Sequence, residues 1–336
     1  MVRDLFVDAF DHSAGEATLK KFLELPVSER RYKFGAWIAD GGIGKLYVAE
    51  DTVLGREVAI KVLRHEFSED ERSLLRLLQE ARIHSQFHHR SIPPLHDVGR
   101  FADGRAFLAM KHIRARTLTD VLLEKSKENR RLDCLPVFGQ VCEAIDYAHC
   151  KGVIHRDLTP NNILVSAKGR VHVIDWGLAK VLETQPKPDD LGAQDLESDT
   201  SQMVALNLSQ TGEGIALGTP AFMAPEKALG SADDSVLIDV FGLGGILCYI
   251  LTGAAPFEGK LSTVMRSTRS SDMAPAFTRL DRCRAPKPLI SLAKACLSPD
   301  LKLRPKSVAA ITEELAKAQA SAGASHRSWW GRLLGG

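Results

Sequence analysis

His155-Arg156-Asp157-Leu158-Thr159-Pro160-Asn161-Asn162, with Ile174-Asp175-Trp176-Gly177 a short way downstream, decides how the rest of this chain is read. Asp157 offers a carboxylate that can accept the proton of an attacking hydroxyl. Asn162 offers an amide oxygen, and Asp175, eighteen residues beyond Asp157, a carboxylate oxygen. Magnesium takes one or two such hard oxygens from a protein and fills its other positions with water and phosphate. Strand-like pieces, Ile163–Val165 and Val171–Ile174, lie between these residues.

Upstream, Asp40-Gly41-Gly42-Ile43-Gly44 sits between two strand signals, Arg31–Ile38 and Lys45–Ala49. Glycines let backbone N–H groups approach a phosphate chain closely. Alone the cluster is weak, since glycine-rich hairpins are usually only turns. Val58-Ala59-Ile60-Lys61 follows inside a β-branched strand, Arg56–Leu63. A solvated surface lysine is the plainer reading of Lys61, but its neighbours are apolar, and a buried ammonium needs an anion. Glu80, on a charged helical stretch from about Ser68 to Ser85, is available as that anion. Two more strand signals, Leu95–Val98 and Phe107–His112, complete a small sheet with one helix. Beyond Leu118 the period is helical. Phe138, Val141, Cys142, Ile145 and Ala148 share a face, which predicts a helix capped by Asp133, with Pro136 in its first turn and Gly152 as its stop. Helices resume at Pro225 and run to Ala318, after Gly218-Thr219-Pro220-Ala221-Phe222-Met223-Ala224-Pro225-Glu226.

Taken in order, the glycine loop, V-A-I-K, helix glutamate, H-R-D-x-x-x-x-N, D-W-G and A-P-E resemble the protein-kinase signature set. The resemblance covers residues 32–316 and is nearest to bacterial serine/threonine kinases of the eukaryotic-like, Hanks type. It implies an α+β, bilobal fold: an N-lobe of about 31–110, with a small antiparallel sheet and one helix, and a mostly helical C-lobe of about 114–318. Residues 1–30 are then an amphipathic extension, 175–226 a long activation segment and 319–336 a flexible tail.

The resemblance also implies roles. Gly41, Gly42 and Gly44 cover the phosphates of ATP, and Ile38 and Leu46 line the nucleotide site. Lys61 contacts the α- and β-phosphates and is held by Glu80. Asp157 is the catalytic base, and Asn162 and Asp175 hold Mg2+, with Mn2+ the alternative ion. Met110 is the gatekeeper, backbone groups of Lys111 and Ile113 bind adenine, and Ala59 and Leu164 sandwich its ring. Glu226 pairs with Arg304, and Asp239 bonds the backbone of the catalytic loop. Arg156 receives a phosphorylated activation segment, with Ser209 and Thr211 as the candidate phosphosites. Thr219, together with a catalytic loop unlike that of tyrosine kinases, points to serine or threonine acceptors on protein substrates. Self-association for autophosphorylation is a partnership this implies.

Four positions depart from the pattern. Ala39 stands where the loop's first glycine is expected, and Trp176 replaces a phenylalanine. Thr159 replaces the lysine usual two residues after the catalytic aspartate, a loss expected to slow transfer. His84 takes a helix position that is usually apolar. Two rival readings remain: a pseudokinase that binds ATP without transfer, and a small-molecule kinase of related fold. The presence of Lys61, Glu80, Asp157, Asn162 and Asp175 weighs against the first, and the peptide platform Gly218–Glu226 against the second.

The bulk composition agrees. A net charge of +2 over 336 residues excludes a strongly basic nucleic-acid binder. Six cysteines without a C-x-x-C pair fit reduced thiols in a cytoplasmic protein. His84, His88 and His89 lack a carboxylate or cysteine at ligand spacing, so no metal is expected there. The start lacks a signal-peptide pattern, and the apolar run Val240–Leu251 is shorter than the ~20 residues of a membrane span. Glu183–Gln202 has six acidic residues, one lysine and no aromatic, too little apolar surface to offset ordering entropy. Trp329-Trp330 near the end reads as a truncated junction or a contact with a partner or membrane surface.

Overall fold

Alternation builds the first sheet. In Arg56–Leu63, Val58, Ile60 and Val62 point to one face and join Tyr32, Ala49, Phe107 and Ala109 in a buried cluster. Lys61 therefore points to the other face. The protein is described by a computed structural model that covers residues 14–28, 30–124, 127–182, 219–231 and 234–321. Within it the chain divides into two compact units, the first ending at Arg114 and the second starting at Ala115.

The first unit holds α1 (Ala14–Leu23), β1 (Tyr32–Asp40), β2 (Gly44–Asp51), β3 (Arg56–Leu63), α2 (Glu71–Ser85), β4 (Leu95–Arg100) and β5 (Ala106–Lys111). The strands form one antiparallel sheet in the order β1-β2-β3-β5-β4. Arg31 secures its edges, reaching Asp51 with two hydrogen bonds and Asp97 with a third at 2.8 Å. The helix starts at Glu71 rather than near Ser68, because Asp70 caps it by accepting from the Ser73 N–H at 3.0 Å. Its Leu77, Leu78, Ala81 and Ile83 are buried. The described part of the N-terminal extension packs on this unit: Phe22 is buried, Arg82 donates to the Thr18 hydroxyl, and Val27 bridges to Arg100.

The second unit opens with β6 (Arg116–Thr117), α3 (Leu118–Glu124), α4 (Lys127–Cys150) and β7 (Val153–Ile154). A 3-10 turn at Pro160–Asn162 leads into β8 (Ile163–Val165), β9 (Val171–Val173) and β10 (Lys180–Val181). Strands β6, β8 and β9 form one small sheet, and β10 pairs with β7. After a 3-10 turn at Thr219–Phe222 come α5 (Pro225–Ala228), α6 (Val236–Thr252), α7 (Leu261–Arg269), α8 (Ala274–Arg282), α9 (Lys287–Cys296) and α10 (Val308–Ser321). The start expected at Asp133 is corrected: α4 begins six residues earlier and carries Pro136 inside it. Its first turn, Lys127-Glu128-Asn129-Arg130-Arg131-Leu132, has no apolar stripe to announce a helix.

Helix α6 is the centre of this unit, with an unbroken buried run from Ile238 to Leu251. Glycines make that burial fit. A Cβ at Gly244 would lie 2.6 Å from the Cys296 Cβ of α9, and one at Gly242 would lie 2.8 Å from the Leu158 Cβ of the His155–Asn162 loop. Among the described residues no helix is long and apolar enough to cross a membrane. Residues 1–13, the acidic stretch Glu183–Gln202, the candidate phosphosites Ser209 and Thr211, and the tail with Trp329-Trp330 lie outside the described residues.

Candidate active site

In the first unit the glycine turn is closed by the Gly41 N–H donating to the Gly44 carbonyl at 2.8 Å. Arg64 braces it from below, giving one side-chain bond to the Gly41 carbonyl at 3.1 Å and its own N–H to Ile43 at 3.0 Å. Gly44 is required by a close approach: a Cβ there would sit 3.0 Å from the Val62 carbonyl and 3.3 Å from the Lys61 side chain. Lys61 donates to both oxygens of Glu80 on α2, at 2.7 and 2.9 Å. Lys61 is 15% and Glu80 4% exposed, so each charge depends on the other for compensation. Leu46 stands opposite Lys61 across the β2–β3 pair, and Met110 stands opposite Ala59 across β3–β5. The Lys111 N–H donates to the Pro94 carbonyl at 3.0 Å, which occupies that donor within the protein. Ile38 lies on β1 and is 39% exposed; Ile113 follows β5.

His84 is buried one turn beyond Glu80, with its Nε2 on the Pro93 carbonyl ahead of β4. Burial lowers its pKa to about 4, helped by the charge of Lys61 and opposed by the Pro93 bond. A neutral histidine thus does the packing of an apolar residue and also ties α2 to the sheet.

In the second unit the His155–Asn162 loop hangs on Asp239, at the start of α6. Its Oδ2 accepts from the His155 N–H and its Oδ1 from the Arg156 N–H, both at 2.8 Å, and His149 Nε2 is 2.8 Å from Oδ2. Burial alone would raise the pKa of Asp239; the His149 bond and the histidines beside it outweigh that and hold the pKa below its ordinary value. The Asp157 N–H donates to His155 Nδ1 at 3.2 Å, so the imidazole proton is on Nε2, which meets the Ile174 carbonyl at 3.1 Å. His155 thereby couples Asp157 to the Asp175 segment. Trp176 is buried and its ring lies 4.6 Å from that of His155, which accounts for a large aromatic here.

Asn162 gives its side-chain Nδ2 to the Asp157 carbonyl at 2.8 Å and to Asp157 Oδ2 at 3.0 Å. With the amide nitrogen turned to Asp157, its oxygen is the atom left to face a cation. The Ile174 N–H donates to the Asn162 carbonyl at 2.9 Å, bringing Asp175 beside it, and Asp175 adopts a left-handed φ of 60°. An amide oxygen and an exposed carboxylate form a donor set that fits magnesium. Leu164 follows on β8, paired with His172.

Arg304 forms a fork on Glu226 at 2.6 and 2.9 Å, and also donates to the Ser298 and Leu237 carbonyls. Arg156 lies 3.1 Å from Asp234, and Lys180 reaches the other oxygen of that carboxylate at 3.1 Å. Thr219 opens the 3-10 turn before α5. Sequence reasoning missed Asp234, Lys180, His149 and Lys227. None of them lies in a motif, and only folding brings them to the catalytic loop.

The chain matches the protein kinase domain family over residues 32–316. It is 32% identical over 319 residues to serine/threonine-protein kinase PknD of Protochlamydia amoebophila, covering 91% of this chain and 32% of that one. It is 34% identical over 242 residues to serine/threonine-protein kinase PknA of Mycobacterium tuberculosis, covering 70% of this chain and 50% of that one. Serine/threonine-protein kinase pkn2 of Myxococcus xanthus is 31% identical over 303 residues, or 88% and 33% of the two chains. The chain belongs to the protein kinase family. It spans about a third to a half of the length of these curated relatives.

Proposed function

We propose that the chain transfers the γ-phosphate of ATP to serine and threonine hydroxyls of proteins. The observation that carries this is the Asp157–Asn162–Asp175 arrangement, in which the Asn162 amide nitrogen is bonded to Asp157 at 3.0 Å and its oxygen is left to accept. Magnesium, or manganese in its place, supplies charge neutralisation of the phosphates there. Asp157 orients the acceptor hydroxyl and takes its proton, while Asn162 and Asp175 provide the oxygens that hold the ion. Lys61, fixed by Glu80, and the backbone of Gly41, Gly42 and Gly44 receive the phosphate chain. Ala59 and Leu164 flank adenine, with Ile38 and Leu46 lining the nucleotide site, Met110 as gatekeeper, and the Lys111 carbonyl and the Ile113 backbone as the polar contacts. The intact set of charged groups favours transfer over a binding-only role. The names of the relatives favour serine or threonine acceptors.

Phosphorylation at Ser209 or Thr211, by a second copy of the chain, is the regulatory part of this reading. The convergence of Arg156 and Lys180 on Asp234 supports it, because two cations already bind one anion there and a phosphate would compete for the same place. Six free cysteines support a reducing, cytoplasmic setting. The test is incubation with Mg-ATP and a protein acceptor, followed by mapping of phosphosites by mass spectrometry. Phosphoserine or phosphothreonine on acceptor and kinase is expected; phosphate on neither overturns the reading.

A further inference from the structure

Thr159 leaves the catalytic loop without a cation on the residue two beyond Asp157, yet one arrives from elsewhere. Lys227, on the short helix α5, sends its ammonium to the Arg156 carbonyl at 2.6 Å. The residue as a whole is half-buried, and protein surrounds its charged end. The carbonyl it grips belongs to the peptide group whose N–H is that of Asp157, and that N–H is held by His155 at 3.2 Å. Arg156 has a left-handed φ of 67°, a costly conformation for a residue with a side chain. Its N–H is held by Asp239 and its carbonyl by Lys227, so a charged side chain fixes each backbone group. Lys227, Asp157 and Thr159 also line one small cavity of about 10 Å³, with Met223 and Gly242 among its other walls, room for about one water.

We propose that Lys227 is a positioning residue for phosphoryl transfer, its enclosed ammonium supplying from α5 the positive charge beside Asp157 that position 159 lacks. This rests on the reading of Asp157 as the catalytic base. The charged groups that face the ammonium are Asp157, Asp239 and Asp234, which stabilise it, and Arg156, which opposes it. Burial dominates and lowers the pKa of Lys227 to about 8. The ammonium is therefore present at neutral pH and is lost as pH rises through about 8, and turnover should fall with it.

The test compares wild type, Asp157→Asn, Lys227→Met, Lys227→Arg, Thr159→Lys and the double variant Thr159→Lys/Lys227→Met, with kcat, ATP KM and pH profile measured for each. Lys227→Met should lower kcat by about 10- to 100-fold with ATP KM within about twofold, the mark of a group felt in the transition state. The double variant should recover most of that loss, because a lysine at position 159 returns an ammonium to the neighbourhood of Asp157. Thr159→Lys alone should lower kcat, because two ammonium groups would share that space. Lys227→Arg should move the alkaline limb upward from about pH 8, since a guanidinium does not deprotonate there. Unchanged kcat in Lys227→Met overturns the proposal. So does a loss that the double variant leaves unrescued while Lys227→Arg keeps the wild-type limb, which would mark a merely structural lysine. If Lys227→Met does not fold, the Lys227→Arg pH profile decides alone. Failure of the kinase reading itself would look different: wild type and Asp157→Asn would be equally inactive.

Discussion

Acid should loosen the first unit through one residue, His84. Its pKa is about 4 in the folded chain against an ordinary 6.5. Between those values the unfolded chain binds a proton that the folded chain refuses, so stability rises with pH across the window and falls on acidification. Each pH unit in the window is worth ~1.4 kcal/mol, so going from pH 7 to pH 5 should withdraw about 2 kcal/mol. That is a large share of the stability of a typical domain. The consequence reaches function because His84 and Glu80 lie one turn apart on α2, and Glu80 holds Lys61. The assay is urea unfolding of wild type and His84→Leu at pH 7, 6 and 5. Leucine leaves the Pro93 carbonyl without its donor, a fixed cost of about 1–3 kcal/mol at every pH. Other titrating groups are common to both proteins, so the difference isolates His84. Stability of wild type should fall by about 2 kcal/mol more than that of the variant. Equal losses in the two proteins would refute the reasoning.

Other expectations follow from the same geometry. Glu226→Gln should destabilise the second unit by about 3 kcal/mol, measured by thermal or chemical unfolding, because it leaves the 2%-exposed Arg304 uncompensated. Gly242→Ala should lower both melting temperature and kcat, since its methyl must displace Leu158 directly after Asp157. Asp234→Ala should make activity more dependent on autophosphorylation, read as a larger drop after phosphatase treatment than in wild type, because Arg156 and Lys180 lose their resident carboxylate.

Much of this was legible in the sequence because the motifs lie on regular elements. The β3 strand stands at Arg56–Leu63 as its β-branched residues predict, and Lys61 meets Glu80 as its apolar neighbours required. Glu226–Arg304 and Asp239 on the loop backbone were expected from the resemblance and are in place. What the sequence hid depends on tertiary packing. A lysine one residue past Glu226 reads as ordinary surface, and nothing local says that its end is enclosed against Arg156. His84 reads as a misfit until Pro93 is seen beside it. The early start of α4 was invisible because Lys127–Arg131 offer no apolar residue to set a helical period.

The most direct test of the central claim is transfer of labelled phosphate from Mg-ATP to a protein acceptor by wild type and by folded Asp157→Asn. An amide at this position keeps size and shape but cannot take the hydroxyl proton. Wild type should place label on serine or threonine, and Asp157→Asn should transfer it at a rate lower by about 10²-fold or more at unchanged melting temperature. Transfer by Asp157→Asn at the wild-type rate would contradict that claim.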